Sequence, residues 1–364
     1  MEKTSDFSPP ENSFKKAMRR TSRIVLVFHL FLSSMLLGVT FYVVSSVYLS
    51  SNLPMRTVLY TTEREDMELT LHNLLNKATS SIDLSLFSCS DPFLPQLLKT
   101  KIQQGIQVTI RCDAKIVSSI SKLLPPEAIL LPHSKRGALM HQKIVCIDQE
   151  WILLGSLNWS PSSLRIDGNS SILLHNPTLA QALSKAIRGE SSSSSITSTH
   201  CQQEHTLFLL PDRKQSLKRL IQWMDEAQHS IRIAMFAWTH PQLIQAALRA
   251  HQRGVQVTVF LHRPHSIHAK KAIQPLLQAG VDLRQYSGPG TLHHKFAWID
   301  EQRLCIGSVN WTRAGFHKNQ ECWISLAPLS QEQNQSLQKL WHTLNTQCHP
   351  PHDIIMMKDL PFQE

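Results

Sequence analysis

Two histidines and two lysines carry the chemistry open to this sequence: His141 with Lys143, and again His293 with Lys295. Each His-x-Lys pair opens a longer block, HQKIVCIDQEWILLGSLNWS at 141–160 and HHKFAWIDEQRLCIGSVNWT at 293–312. Asp148 and Asp300 follow at the same spacing, then Gly155-Ser156 and Gly307-Ser308, then Asn158-Trp159 and Asn310-Trp311. The offset is constant, with 293 − 141 and 307 − 155 both giving 152. Residues two apart on an extended strand point to one face, so each block presents an imidazole, a nucleophile or proton shuttle, beside a fixed positive charge. Gly155 and Gly307 free the backbone where the second strand turns, and so let Asn158 and Asn310 aim an amide at the same place. Lys and Asn with no carboxylate beside them suit an anionic phosphate oxygen. The repeat holds no general acid/base carboxylate pair, no phosphate-cradling Gly-rich loop and no metal-ligand spacing, so neither a metal nor a cofactor is expected.

One copy is half a site. If the two copies pack about a pseudo-two-fold axis, both imidazoles, both lysines and both asparagines surround one phosphorus. One imidazole then attacks to form a phosphohistidine while the other, protonated, gives its proton to the departing alkoxide. The lysines and asparagines stand where two-metal phosphodiesterases place cations. Asp148 and Asp300 fall at turns between strands and are expected to bond local backbone. Trp159 and Trp311 are expected to pack.

The elements that must position these residues are also duplicated. Ser81–Phe87 answers Ser230–Phe236, and the run starting at Gly105 answers that at Gly254. Strand periodicity at 82–87, 106–111, 128–131, 143–147 and 151–154 alternates with helical spacing at 63–78, 94–104, 115–124 and 179–187, and the second half repeats the order. The expected fold class is α/β: two pseudo-symmetric lobes, each a mostly parallel mixed sheet flanked by helices, with the active site at the lobe interface and one transmembrane helix in front. The domain reading is a basic segment 1–23, a transmembrane signal anchor 24–49, lobe 1 at 56–189, a Ser-rich linker 190–204, lobe 2 at 205–348 and a tail 349–364. Residues 24–49 contain no Asp, Glu, Lys or Arg, and 49 − 24 + 1 = 26 residues exceeds the ~20 that cross a bilayer as a helix. Lys15, Lys16, Arg19, Arg20 and Arg23 precede it and Arg56 is the first cation after it, which places the N-terminus in the cytoplasm and the lobes on the extracytoplasmic side. A cleaved signal peptide, with a secreted product, is the alternative.

A net charge of +10 favours anionic partners, lipid surface or nucleic acid, without choosing between them. Seven cysteines without CxxC spacing indicate neither a zinc site nor a disulfide framework. His262, His265, His268, Lys270 and Lys271 form a basic cluster that reads as a solvated helix start, with phosphate contact as the alternative.

These blocks resemble the phospholipase D superfamily, whose HxKxxxxDxxxxxxGSxN signature stands complete at His141-Lys143-Asp148-Gly155-Ser156-Asn158 and at His293-Lys295-Asp300-Gly307-Ser308-Asn310. The second copy is most similar to the bacterial endonuclease and mitochondrial cardiolipin hydrolase branch, whose members dimerise to build the site that this chain would form from one polypeptide. The resemblance covers about residues 60–346 and implies a phosphohistidine mechanism on phospholipid or nucleic acid. Its members usually carry a downstream acid that orients an imidazole; Glu321 fits in the second lobe, while the first has Asn169 at the aligned position. In two-lobed members the acid reaches the other lobe's histidine, so the resemblance makes His141 the nucleophile and His293 the acid. The expected activity is a membrane-anchored phosphodiesterase hydrolysing or transferring the phosphatidyl group of phospholipids without a metal. An exported nuclease and a catalytically weak phosphate-binding scaffold are the alternatives.

Overall fold

In a computed structural model of the chain, residues 31–35, 56–133, 137–190 and 193–351 are described. The chain divides into two compact units, 1–53 and 54–364. Of the first, 31–35 form a helical turn with Phe31, Leu32 and Met35 exposed. The expected 24–49 span otherwise lies outside the described residues, and among those described no helix is long and apolar enough to cross a membrane.

The second unit holds both lobes. Lobe 1 contains β1 (Val58–Thr61), β2 (Ser81–Leu86), β3 (Gln107–Asp113), β4 (Ile129–His133), β5 (Ile144–Ile147), β6 (Trp151–Gly155) and β7 (Ser170–His175). Its sheet order is β1-β7-β6-β5-β2-β3-β4. Lobe 2 repeats this order with β9 (Gln203–Leu210), β15 (Glu321–Ala327), β14 (Arg303–Gly307), β13 (Lys295–Ile299), β10 (Ser230–Met235), β11 (Gln256–His262) and β12 (Asp282–Tyr286). Two further strands extend its edges, β8 (Ser195–His200) beside β9 and β16 (Cys348–His349) beside β12.

The sheets are mixed, as expected, but not mostly parallel. Only β2–β3–β4 and β10–β11–β12 run parallel, and every other pairing is antiparallel. Parallel pairs need a helical crossover, and helices Phe93–Gln103 and Pro241–Gln252 supply the first of these in each lobe. The repeated block instead makes a tight hairpin. Asp148 and Gln149 (φ 52° and 55°), like Asp300 and Glu301 (φ 50° and 56°), both adopt the left-handed region at the centre of a turn closed by the Glu150 or Gln302 amide on the Ile147 or Ile299 carbonyl, the turn hand that suits twisted strands. Two further expectations are corrected. The segment 190–204, expected as a linker, supplies β8, which pairs antiparallel with β9. The expected helix 115–124 is a 3-10 turn, Ala114–Ile116, followed by one helical turn, Val117–Ile120. Strands β1 and β7 were not legible; β7 is buried on both faces except at its last residue, which removes the period-two signal.

The sheets stack on each other. One apolar cluster joins Ile144, Ile152, Leu154 and Ile172 of lobe 1 to Leu304, Ile306 and Ile324 of lobe 2. Helices Pro177–Arg188 and Gln331–Gln347 pack into the same cluster through Leu179, Leu183, Leu337 and Leu340. A separate core lies beneath the lobe 2 helices Gln215–Glu226 and Pro241–Gln252, built on Leu220, Trp223, Leu243 and Ile244. Trp159 and Trp311 are buried, the latter edge-on to Trp238 at 4.9 Å.

Asp148 and Asp300 tie each hairpin to the start of the neighbouring strand. Asp148 accepts from the Thr79, Ser80 and Ser81 amides and from the Thr79 and Ser80 hydroxyls at 2.8–2.9 Å. Asp300 accepts from the Gln228, His229 and Ser230 amides, each at 2.8 Å. Burial pushes the Asp148 carboxyl up, but the Ser81, Thr79 and Ser80 hydrogen bonds outweigh it and hold the pKa below the usual value. Because the folded pKa is depressed, this stabilisation is present above the unfolded carboxylate range and is lost as pH falls through the folded value. Asp148→Ala is expected to cost about 2–3 kcal/mol, read as a lower urea midpoint whose difference from wild type shrinks in acid, with residual activity per folded molecule retained.

Candidate active site

Each histidine enters the site along a strand that docks on the other lobe. Met140 lies parallel to Gln320, with the His141 amide donating to the Gln320 carbonyl and the Gln320 amide donating to the Leu139 carbonyl, both at 2.8 Å. Leu292 and Gly168 form the matching bridge, with the His293 amide donating to the Gly168 carbonyl and the Gly168 amide to the Thr291 carbonyl, again at 2.8 Å. Asn319 Oδ1 accepts the Leu139 amide (3.2 Å), as Asp167 Oδ1 accepts the Thr291 amide (3.0 Å). In each lobe the residue one step past its bridge position therefore faces the opposite imidazole: Glu321 faces His141 and Asn169 faces His293.

The contacts follow this geometry. His141 Nδ1 lies 2.8 Å from both carboxylate oxygens of Glu321, and His293 Nδ1 lies 2.9 Å from Asn169 Oδ1. Both acceptors are tied down. Ser308 Oγ donates to Glu321 Oε2 and Asn319 Nδ2 donates to Oε1 at 3.2 Å. Ser156 Oγ donates to Asn169 Oδ1 at 2.8 Å, while Asn169 Nδ2 donates to the Ser163 carbonyl at 3.0 Å. The Gly-Ser pairs thus position the partner of the opposite histidine. Gly155 and Gly307 are needed because a Cβ there would lie 2.3 Å from the Ser170 and Cys322 carbonyl oxygens.

A carboxylate or amide oxygen on Nδ1 holds the N–H there and leaves Nε2 with its lone pair, the tautomer a nucleophile or a base needs. Lys143 Nζ donates to the His141 carbonyl (2.6 Å) and Lys295 Nζ to the His293 carbonyl (2.7 Å). Each lysine also sits over an aromatic ring, Phe87 and Phe236 respectively, 5.0 Å from the centroid, and each ring meets its histidine edge-on at 4.9 Å. Asn158 and Asn310 follow β6 and β14, and the Oδ1 of each is buried with no hydrogen-bond partner among the described residues. Asp148 and Asp300 lie at the far ends of the hairpins.

Electrostatically the site is short of negative charge. Burial pushes Lys143 down to about 7, with Glu321 opposing. Burial and then Lys143 push Lys295 well below its ordinary value, against Glu321 and Asp167. Burial lowers His141, Glu321 raises it and Lys143 lowers it, for a net fall. Burial, Lys295, Lys143 and His141 together push His293 well below 6.5. A bound anionic phosphate would relieve all four groups. Among the described residues no cluster of His, Cys, Asp and Glu could hold a metal ion.

Several site residues were not identified from the sequence. Phe87 and Phe236 end the duplicated strands, so the repeat could have marked them. Asn169 stands in the sequence only as a departure from the family pattern, and the structure makes it the partner of His293. Glu63, whose Oε1 lies 2.7 Å from the buried His294 Nε2, had no local signal.

Two duplicated α/β lobes, each lending half of one buried His-Lys centre, define a bilobal α/β protein with that centre between its lobes. The chain belongs to the cardiolipin synthase, PLD-like domain family, which matches residues 71–189 and 220–341. Mitochondrial cardiolipin hydrolase from Homo sapiens is 37% identical over 112 residues, 31% of this chain and 44% of that protein. The chain thus spans about half the length of the curated relatives it matches. The fold is similar to that of phosphatidylserine synthase from Haemophilus influenzae, with a TM-score of 0.64 at 11% identity over 84% of this chain and 91% of that one. It is also similar to polyphosphate kinase from Porphyromonas gingivalis, with a TM-score of 0.57 at 13% identity over 78% of this chain and 46% of that one.

Proposed function

We propose that this chain is a membrane-anchored phosphodiesterase that hydrolyses or transfers the phosphatidyl group of phospholipids through a phosphohistidine, without a metal. The observation that carries the reading is the crossed pairing of His141 with Glu321 and His293 with Asn169. His141 Nε2 attacks phosphorus and the bond to the head-group oxygen breaks. The leaving alkoxide takes the proton of His293. Neutral His293 then accepts a proton from water, whose oxygen attacks phosphorus, breaks the bond to His141 and releases phosphatidic acid. An alcohol in place of water gives a phosphatidyl-alcohol.

The unequal partners support this assignment of roles. Attack makes the His141 ring a cation, and the buried Glu321 carboxylate compensates that charge. His293 has only the neutral Asn169 amide, so its imidazolium is the more acidic and the better proton donor; the phosphate's charge favours its protonation as substrate binds. Lys143, Lys295 and the Asn158 and Asn310 amides would hold the non-bridging oxygens. The apolar 24–49 segment supports a single-pass topology, with the N-terminus cytoplasmic and the lobes beside the outer lipid surface. Both halves of the site come from one polypeptide, so dimerisation is not required.

The test is turnover by the full chain in detergent with EDTA present, given phosphatidylcholine, phosphatidylglycerol and cardiolipin in one set and single- and double-stranded nucleic acid in another. His141-dependent release of phosphatidic acid supports the reading. Cleavage of nucleic acid alone would replace it with an exported nuclease, and no turnover of either would replace it with a phosphate-binding scaffold.

The asymmetry makes a separate prediction. Asn169→Asp puts a carboxylate on His293, which raises that imidazole's pKa. The basic limb of a bell-shaped kcat profile should then move to higher pH, while the plateau rate falls because the acid is weaker. A profile unchanged on its basic side would remove His293 from the acid role.

A further inference from the structure

The centre is symmetric in its histidines and lysines but not in what surrounds them. In lobe 2, Phe236 packs not only on His293 but also on two more imidazoles, His262 stacked at 5.2 Å and His265 edge-on at 4.3 Å. These two rings lie 5.8 Å apart. The repeat puts Asp113 and Ile116 at the equivalent places in lobe 1, where Asp113 accepts the Met140 and Lys115 amides. His262 Nδ1 is buried and has no hydrogen-bond partner among the described residues. Burial, then His265, push His262 down to about 4, with Asp167 opposing and Lys295 adding to the fall. His265 is lowered by burial, His268 and Lys295. The helices Arg263–His268 and Lys270–Gln278 continue from these rings with His268, Lys270 and Lys271.

In phosphoryl transfer the attacking and leaving groups lie roughly in line. With His141 attacking from lobe 1, the leaving alcohol departs on the lobe 2 side, past Phe236. We propose that His262 and His265 form a leaving-group subsite that selects a phospholipid whose head-group alcohol itself carries a phosphate. This rests on the phosphatidyl-transfer reading above. Imidazole N–H groups beside Lys295 offer donors to phosphate oxygens and charge-assisted bonds once the anion is in place. A cationic head group would instead meet Lys295 and the two imidazoles, and the nearby Asp167 already accepts the Thr291 amide through Oδ1.

Two measurements on the full chain in detergent test this. In isothermal titration with sn-glycerol 3-phosphate, a mimic of the departing alcohol, His265→Gln and His262→Gln should each weaken binding at least fivefold, while Lys143→Ala, on the opposite lobe, weakens it less. In turnover, wild type should show a lower KM for phosphatidylglycerol phosphate than for phosphatidylglycerol or phosphatidylcholine. His265→Gln should raise that KM at least fivefold with kcat within twofold, and leave phosphatidylglycerol unaffected. Glycerol 3-phosphate binding unchanged in both variants, with melts matching wild type, would overturn the subsite whatever the enzyme turns over. Binding that is lost in both variants in a protein that turns over no lipid would uphold the anion subsite and remove the phosphatidyl reading. Cleavage of single-stranded DNA alone, weakened by His265→Gln, would overturn the lipid as occupant.

Discussion

His141→Ala should lower kcat by about 10⁴-fold or more, the scale seen when a covalent nucleophile is removed, with a melt close to wild type. The side chain's polar contact is with Glu321, and the strand that delivers it is held by backbone bonds from its Leu139 and His141 to Gln320, which alanine keeps. Stability should therefore survive while the phosphohistidine cannot form. Rapid quench with labelled substrate checks it: wild type should trap acid-labile, base-stable label on protein and His141→Ala should trap none. His293→Ala should still accumulate the intermediate with a substrate whose leaving group needs no proton, such as a nitrophenyl ester. Label retained on His141→Ala but lost on His293→Ala would reverse the two roles.

Glu321→Gln should lower kcat by about 10²–10³-fold, less than loss of the nucleophile but far more than a surface change, by analogy with removal of the carboxylate that supports a catalytic imidazole. Glutamine keeps the shape and an acceptor for Nδ1, as Asn169 already does for His293 at 2.9 Å. What is lost is the charge that compensates the His141 cation. Glu321 raises the His141 pKa against burial and Lys143, so its removal must lower that pKa further. The acid limb of kcat/KM, set by the fraction of neutral His141, should shift to lower pH, opposite in sign to a simple loss of binding. Stopped assays from pH 4 to 9 on folded variant decide it; an unshifted acid limb with an unchanged rate would make Glu321 a structural residue only.

Much of this is legible in the sequence. The repeated His-x-Lys pairs, the structural place of Asp148 and Asp300, the glycines at the strand ends and the two-lobed plan all follow from residues at constant spacing, because a duplicated block can satisfy its local geometry twice with the same side chains. Less legible were β7, buried on both faces, and β8, whose serine-rich sequence pairs only because β9 offers an open edge. Asp148 at φ 52° shows how local chemistry set the sheet: a left-handed turn residue makes a hairpin, and the hairpin makes the neighbouring strands antiparallel.

The sequence by itself determined which groups could react and that two copies were needed. Only the tertiary structure decided how they are paired. Glu321 lies 180 residues from His141, and Asn169 lies 124 from His293; no local spacing encodes such contacts. They exist because each histidine strand docks on the opposite lobe, and a buried imidazole takes whatever acceptor that docking presents. Within lobe 2, the parallel pairing of β10 with β11 put His262 and His265 beside Phe236 and next to the centre, where the sequence alone reads them as the start of a solvated helix.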